Sequence, residues 1–300
     1  MKRIIAVLLC LPILGLCGCS LLKPKNAPDD GSDKISIVTT IFPLYDFARA
    51  VAGDRADITL LIDPACEVHS FDPTPSDIAA IYDCDLFLYI GGESDAWVGR
   101  VLADVNVNPI KMTDCVTLLG EDGHDEYDEH IWTSPENAIS MLKEICDELC
   151  AISPENGEYF RANFDRYSGE IRAVQSDIRS VVDGVETPFI LVADRFPFKY
   201  FTTEFGIEYK AAFGGCATSD DISLKVMGEL VKTVEDRGCA AAFYTEMSGR
   251  TVANALAEQT GVALYELHSA HNVTADDFKA GVTYVDIMKR NLKALKKGLK

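Results

Sequence analysis

From Lys34 onward the chain alternates short β-branched runs with amphipathic helical stretches, and that alternation leaves few architectures open. "KISIVTT" leads into "PLYDFARAVAG", "ADITLLI" into "TPSDIAAIY", and "DLFLYI" into "SDAWVGRVLAD". Strands that alternate with helices pair in parallel, because each helix carries the chain back to the starting edge of the sheet. A second series begins near Pro188. There "FILVA", "IEYKAAF", "AAAFYT" and "VALYEL" each precede a helical segment, and the series ends in "AGVTYVDIMKRNLKALKKGL". The expected fold class is therefore α/β, with two lobes that are each a mostly parallel sheet covered by helices. Between the two series Phe160, Phe164, Tyr167, Ile171, Val174, Ile178 and Val181 recur at spacings of three and four, an apolar seam along one helix. A helix from Gly157 to Asp183 would span ~40 Å at 1.5 Å per residue, longer than a crossover needs, and reads as a strut joining the lobes. Two shorter helices broken near Gly169 are the alternative. This divides the chain into residues 34–156, a linking helix over 157–184, and residues 185–300.

Ahead of the first strand, Lys2 and Arg3 precede an apolar run from Ile4 to Leu16 that is too short to anchor in a bilayer. Residues 1–18 read as a signal peptide. It closes on "LCGC", which looks like a bacterial lipobox with Cys19 as the lipidated first residue of the mature chain; an ordinary cleaved signal with an incidental cysteine is the alternative. Residues 19–33, with the polar "KPKNAPDDGSDK", supply a tether from that anchor. The expected place is thus outside the cytoplasm, held to the bacterial membrane. A formal net charge of −19 argues against nucleic acid, which needs a basic face. Beyond the leader, Cys66, Cys84, Cys115, Cys146, Cys150, Cys216 and Cys239 are odd in number and irregular in spacing, which is no disulfide framework. Cys146 and Cys150 share a helical face as apolar fillers, and Cys66 is either a filler or a thiolate ligand three residues before His69.

The five histidines all fall in stretches that read as loop. In open α/β sheets ligands bind beyond the carboxyl ends of the strands. His69 follows "ITLLID", in a loop stiffened by Pro73 and Pro75 and leading to a helix that Thr74 and Asp77 cap. Asp194 and Arg195 follow "FILVA", Glu246 ends "AAAFYTE", and His268 and His271 follow "ALYEL". His130, in "YDEHIWTSPENA", precedes a helix opened by Ser134 and Pro135. Candidate ligands thus come from both lobes. Imidazoles with carboxylates are the donor set of a borderline divalent metal, and three nitrogens with an oxygen suit tetrahedral zinc. There is no H-E-x-x-H pair, no G-x-S-x-G elbow, no phosphate loop and no dinucleotide fingerprint. His124, in the acidic "GEDGHDEYDEH", belongs either to a weak collecting site or to a solvated charged loop.

These motifs, in this order, resemble the zinc- and manganese-binding class of solute-binding proteins of ABC transporters, which are usually lipoproteins. The likeness runs from "KISIVTTIFPLYDFARAVAGDRADITLLI" through "HSFDPTPSDIAAIYDCDLFLYIGGESDAW" and "DEHIWTSPENA" to "TYVDIMKRNLKAL", nearly the whole mature chain. It implies two lobes joined by a rigid backbone helix, one metal in the cleft between them, and delivery to a membrane permease driven by a cytoplasmic ATPase. It also implies roles. His69 matches the first ligand and His130 the second, with Asp128 at the acidic residue two positions before it. Counting back from "TYVDIMKRN" puts His271 at the last ligand position, with His268 as the alternative.

The third ligand position departs from the family pattern, because "ADRFPFKYF" places Arg195 where histidine or glutamate is expected. Arginine keeps its proton and offers no lone pair to a metal. Either Glu246 or Asp194 supplies an oxygen, or both His268 and His271 bind, with Arg195 orienting a carboxylate. Otherwise Arg195 receives an anion, or merely pairs with Asp194 or another acid at the cleft edge. The expectation is a monomeric, lipid-anchored metal receptor of an importer and not an enzyme, with zinc favoured over manganese because the donors are nitrogens. Capture of a chelated metal or another anionic solute through Arg195 is the alternative, followed by a surface metallohydrolase with Glu246 as base.

Overall fold

The computed structural model describes residues 34–103, 107–120, 127–215 and 222–299. The signal segment, Cys19, the tether, His124 and Cys216 lie outside the described residues. The first lobe carries β1 (Ile35–Thr39), α1 (Phe42–Ala52), β2 (Ala56–Leu60), α2 (Pro75–Asp83), β3 (Leu86–Tyr89), α3 (Val98–Leu102) and β4 (Pro109–Lys111). Then come α4 (Pro135–Ile152) and the long α5 (Gly157–Val182). The second lobe follows with β5 (Phe189–Val192), α6 (Lys199–Phe205), β6 (Glu208–Ala211), α7 (Leu224–Arg237) and β7 (Ala241–Tyr244). It is completed by α8 (Thr251–Thr260), β8 (Ala263–Glu266), α9 (Ala275–Lys279) and α10 (Tyr284–Gly298).

Both sheets are four-stranded and parallel throughout, in the orders β2-β1-β3-β4 and β6-β5-β7-β8. Their central strands are apolar on both faces: Ile37, Val38, Leu86 and Phe87 in one, Val192, Ala242 and Phe243 in the other are all buried. Helices cover both sides, so no polar alternation survives. β4 is absent from the sequence reading because it has three residues and opens on Pro109. A proline is tolerated there, at a sheet edge where one ladder hydrogen bond is not required. The stretch "SDAWVGRVLAD" is expected as one helix but forms a short 3₁₀ turn followed by the five-residue α3. The Asp95 carboxylate accepts the N–H groups of Ile90 at 2.7 Å and Gly91 at 3.0 Å, which bends this segment back over the end of β3.

The helix starts are set by side chains. Thr74 and Asp77 make a capping box on α2, Ser134 accepts the Asn137 N–H on α4, and Thr283 and Asp286 box the start of α10. α5 is a single helix of 26 residues, ~39 Å long. Nothing lies within 4 Å of where a Cβ on Gly169 would stand, so that glycine faces open space and no packed neighbour kinks the helix there. Phe160, Tyr167, Ile171, Val174 and Ile178 are buried along its inner side, while Phe164 and Val181 are half-buried at the margin of the seam.

α5 is more than a strut, because one continuous apolar core takes side chains from α1, α4, α5, α6 and α10 and from both sheets. A polar hub sits within that core. The buried Asp46 on α1 accepts Arg49 Nε–H at 2.8 Å, the Tyr284 N–H at 2.8 Å and the Tyr167 hydroxyl. Arg49 in turn donates to the carbonyls of Gly281 and Val282. α1, α5 and the start of α10 are thereby locked together, which fixes the two sheets in one frame with their carboxyl ends facing a common cleft. Among the described residues no helix is long and apolar enough to cross a membrane.

Candidate metal centre

Three loops bring imidazoles to that cleft. The loop after β2 turns at Ala65, which adopts a positive φ of 66°, and runs to His69. Its backbone is held by the other lobe: Ala65 N–H donates to Val273 O at 2.8 Å, and Asn272 Nδ2 donates to the carbonyls of Asp63 and Cys66, each at 2.9 Å. The loop that carries His69 is therefore placed by contacts made across the cleft.

His130 is buried just before a short 3₁₀ turn. Its N–H donates to Asp128 Oδ1 at 2.8 Å, and its Nδ1 lies 3.0 Å from the same oxygen. Holding the ring proton on Nδ1 leaves the Nε2 lone pair for a metal. Asp128 is itself fixed, since Tyr200 donates its hydroxyl to the Asp128 carbonyl at 2.8 Å. Burial works against the Asp128 charge, but the hydrogen bond and positive charge offered by His130 outweigh it and hold the carboxyl below the ordinary aspartate range.

His271 reaches the cleft because Ala270 adopts φ 62°, a left-handed conformation that costs an L residue roughly 1–2 kcal/mol. The turn is held by Trp132, whose indole N–H donates to Ser269 O at 2.9 Å and whose ring packs 4.8 Å from the His271 ring. His271 is only 9% exposed and its Nε2 is buried without a hydrogen-bond partner. A buried orphan acceptor of this kind costs about 1–3 kcal/mol unless a ligand satisfies it.

The ligand atoms of His69, His130 and His271 all lie within 4.8 Å of one another. A tetrahedral zinc with Zn–N of ~2.0–2.1 Å needs nitrogens roughly 3.3–3.4 Å apart, so the three rings would have to draw closer to hold one. Burial, then the neighbouring His130 and His69, holds the His271 pKa well below 6.5. Burial likewise lowers His69, against the pull of Glu129. Both rings are thus kept neutral, the state a metal requires.

The other expected candidates stand elsewhere. His268 is buried but turned away from the cluster by the same Ala270 turn, and its Nδ1 accepts the Ala270 N–H at 2.9 Å. Glu246 lines the cleft, yet its two oxygens accept the Ser269 N–H at 2.7 Å and the Ser269 hydroxyl at 2.5 Å. Asp194 accepts the N–H groups of Arg195 at 2.8 Å and Thr245 at 3.2 Å. The Arg195 guanidinium lines the cleft and pairs across it with Glu67 at 3.6 Å. Cys66 is exposed and not part of the cluster.

Glu129 is a site residue that sequence reasoning missed. It is buried, its Oε1 lies 3.5 Å from His69 Nδ1, and it accepts the N–H of Ser94 at 3.0 Å and its hydroxyl at 2.5 Å. Gly92 makes room for it: a Cβ there would sit 2.1 Å from a Glu129 oxygen. Trp132 and Asn272 were missed too. A tryptophan two residues after a histidine in a chain with only two tryptophans was an available signal for the first; nothing in the spacing marks the second.

Residues 37–298 match the family described as zinc-uptake complex component A, periplasmic. The chain belongs to this family. It is 32% identical over 314 residues to the zinc-binding lipoprotein AdcA of Streptococcus pneumoniae strain R6, covering 99% of this chain and 61% of that relative. The chain thus spans about three-fifths of that longer protein. The crystal structure of the Zn(II)-bound ZnuA-like domain of Streptococcus pneumoniae AdcA superposes with a TM-score of 0.77 at 30% identity, covering 88% of this chain and 98% of that one. The metal-dependent lipoprotein YcdH of Bacillus subtilis gives 0.80 at 26% identity, covering 89% and 100%. The two parallel-sheet lobes with a long helix between them are thus the fold of a transport-associated binding family.

Proposed function

We propose that this protein is an extracytoplasmic receptor that captures a divalent metal, zinc before manganese, in the cleft between its lobes and hands it to a membrane permease powered by an ATPase. The observation that carries this reading is the three-imidazole cluster with the buried, unpartnered Nε2 of His271. His69, His130 and His271 are the proposed ligands. Asp128 and Glu129 orient two of the rings, and Arg195 occupies the cleft wall without binding metal. Nitrogen donors favour zinc over the harder manganese ion. Anchoring through a lipid on Cys19 and a monomeric state complete the proposal.

The metal is cargo, not a catalyst. A metal-assisted hydrolase needs a poised base, and Glu246 has both oxygens committed to Ser269. The direct test is a competition titration of the metal-stripped protein with zinc and then manganese. One tight zinc equivalent with weaker manganese is expected, together with a raised melting temperature by mass action, worth ~4 kcal/mol at a thousandfold excess over Kd. Failure to bind either metal tightly would overturn the proposal.

A further inference from the structure

His271 stands in the cluster only while Ala270 keeps its left-handed backbone, and an alanine does not hold φ 62° unaided. Ala270 is fully buried, so its N–H has no water to turn to. It donates instead to Nδ1 of His268, two residues back, at 2.9 Å. A backbone N–H can only donate, so that ring nitrogen carries the lone pair and the His268 proton sits on Nε2. The contact follows the pattern of an Asx-turn, in which an Asn or Asp oxygen accepts the N–H two residues on, with an imidazole in its place.

His268 is itself held from behind. Its N–H donates to Asn291 Oδ1 at 2.8 Å, and Asn291 Nδ2 donates to the His268 carbonyl at 2.8 Å. Asn291 is buried on α10, which packs against α5. On the other side of the turn, the His271 N–H goes to Ser269 Oγ at 3.2 Å, and Trp132 holds the Ser269 carbonyl. Glu246 Oε1 lies 3.5 Å from His268 Nδ1 and takes the Ser269 hydroxyl. The backbone on both sides of Ala270 is thus fixed by other groups, and the His268 ring alone receives the N–H of the strained residue.

We propose that His268 is a positioning residue for the metal: its Nδ1 keeps Ala270 left-handed and so delivers the His271 imidazole to the cluster, without touching the ion. This rests on the three-histidine metal site proposed above. Without the acceptor the buried Ala270 N–H is orphaned, and alanine returns to the right-handed or extended backbone that L residues prefer. His271 then leaves the cluster in most molecules. The apparent affinity falls by the fraction that remains competent.

The test pairs a zinc competition titration with X-ray absorption at the zinc edge, on the unaltered protein and three variants. An asparagine oxygen can take the Ala270 N–H where Nδ1 stood, so His268→Asn should keep three imidazoles and bind zinc within about threefold of the unaltered protein. His268→Leu offers no acceptor, and should bind about tenfold more weakly with two imidazoles on the ion. Glycine adopts the left-handed backbone without help, so His268→Leu combined with Ala270→Gly should regain part of the affinity and the third imidazole. Should His268→Leu lack a cooperative thermal transition, His268→Met takes its place with the same expected losses, because its flexible side chain fills the space with only a weak acceptor. Loss of an imidazole in His268→Asn would make His268 a ligand and overturn the inference. Three imidazoles and unchanged affinity in the apolar variant would overturn it as well, while leaving the metal site standing. Absence of bound zinc in the unaltered protein would overturn the metal site and this inference together.

Discussion

The two lobes carry the same parallel sheet with the same strand order, yet they furnish the cleft by different means. His130 and His271 occupy equivalent places, each in the loop after the fourth strand of its sheet. The first lobe orients its imidazoles with carboxylates: Asp128 on His130, and Glu129 beside His69. The second lobe presents His271 on a left-handed alanine, packed against Trp132 of the first lobe, while its own acids, Asp194 and Glu246, are folded back onto backbone and serine. Even the serine–glutamate clamps are reciprocal, running from the β4 loop to Ser94 after β3 in one lobe and from Glu246 after β7 to Ser269 after β8 in the other. The same scaffold therefore positions its imidazoles by carboxylates on one side and by backbone conformation and packing on the other.

The sharpest way to break this contrast is to remove ligands from each wall. If metal binding is worth ~10–16 kcal/mol across four donors, His130→Ala and His271→Ala should each weaken zinc by roughly 10²–10³-fold in a competition titration. Asp128→Asn keeps the hydrogen-bonding shape but loses the charge, and should cost ~10–100-fold. Its effect should exceed that of Trp132→Phe, which removes the indole N–H that holds the Ser269 turn beside His271, measured side by side. Equal effects would erase the distinction between the walls.

A pH titration probes the same contrast more gently. The His69 and His271 rings are held below the ordinary value of ~6.5, so protons compete with metal only at lower pH. Zinc affinity should fall as pH drops, with the part due to protonating His69 and His271 confined to pH below about 6.5. For the metal-free protein the unfolded chain takes up protons at about pH 6.5 that the folded rings refuse. The stability these rings contribute is thus full above that pH and is lost as pH falls through their folded values, which thermal melts at stepped pH would show.

The smallest effects belong to the loop supports. Asn272→Ala deletes two hydrogen bonds that hold the His69 loop to the second lobe, and should lower stability by about 1–3 kcal/mol in denaturant unfolding. Ala270→Gly should relieve the left-handed strain and raise stability by up to ~1 kcal/mol.

Much of this was legible in the sequence for identifiable reasons. Alternating β-branched and amphipathic runs gave seven of the eight strands, and caps such as Thr74 with Asp77 marked the helix starts; β4 was too short and too proline-bounded to signal. The single α5 followed from an unbroken seam, since Gly169 needed only to face outward. His69 and His130 stood out because loop histidines after strands have few structural duties. Counting back from the last helix favoured His271 over His268, but the reason, the left-handed backbone at Ala270, was not readable. The role of Glu129 depends on Ser94, distant in sequence, and the commitment of Glu246 depends on Ser269. Likewise, nothing local told that Arg195 would reach Glu67 across the cleft.

The central claim is that three imidazoles, two from one lobe and one from the other, hold a single ion. X-ray absorption at the zinc edge of the loaded protein tests it most directly, beside His271→Ala. The account predicts three imidazole shells and one oxygen at ~2.0–2.1 Å, falling to two imidazoles in the variant. A sulfur shell, or an imidazole count unchanged by His271→Ala, would contradict it.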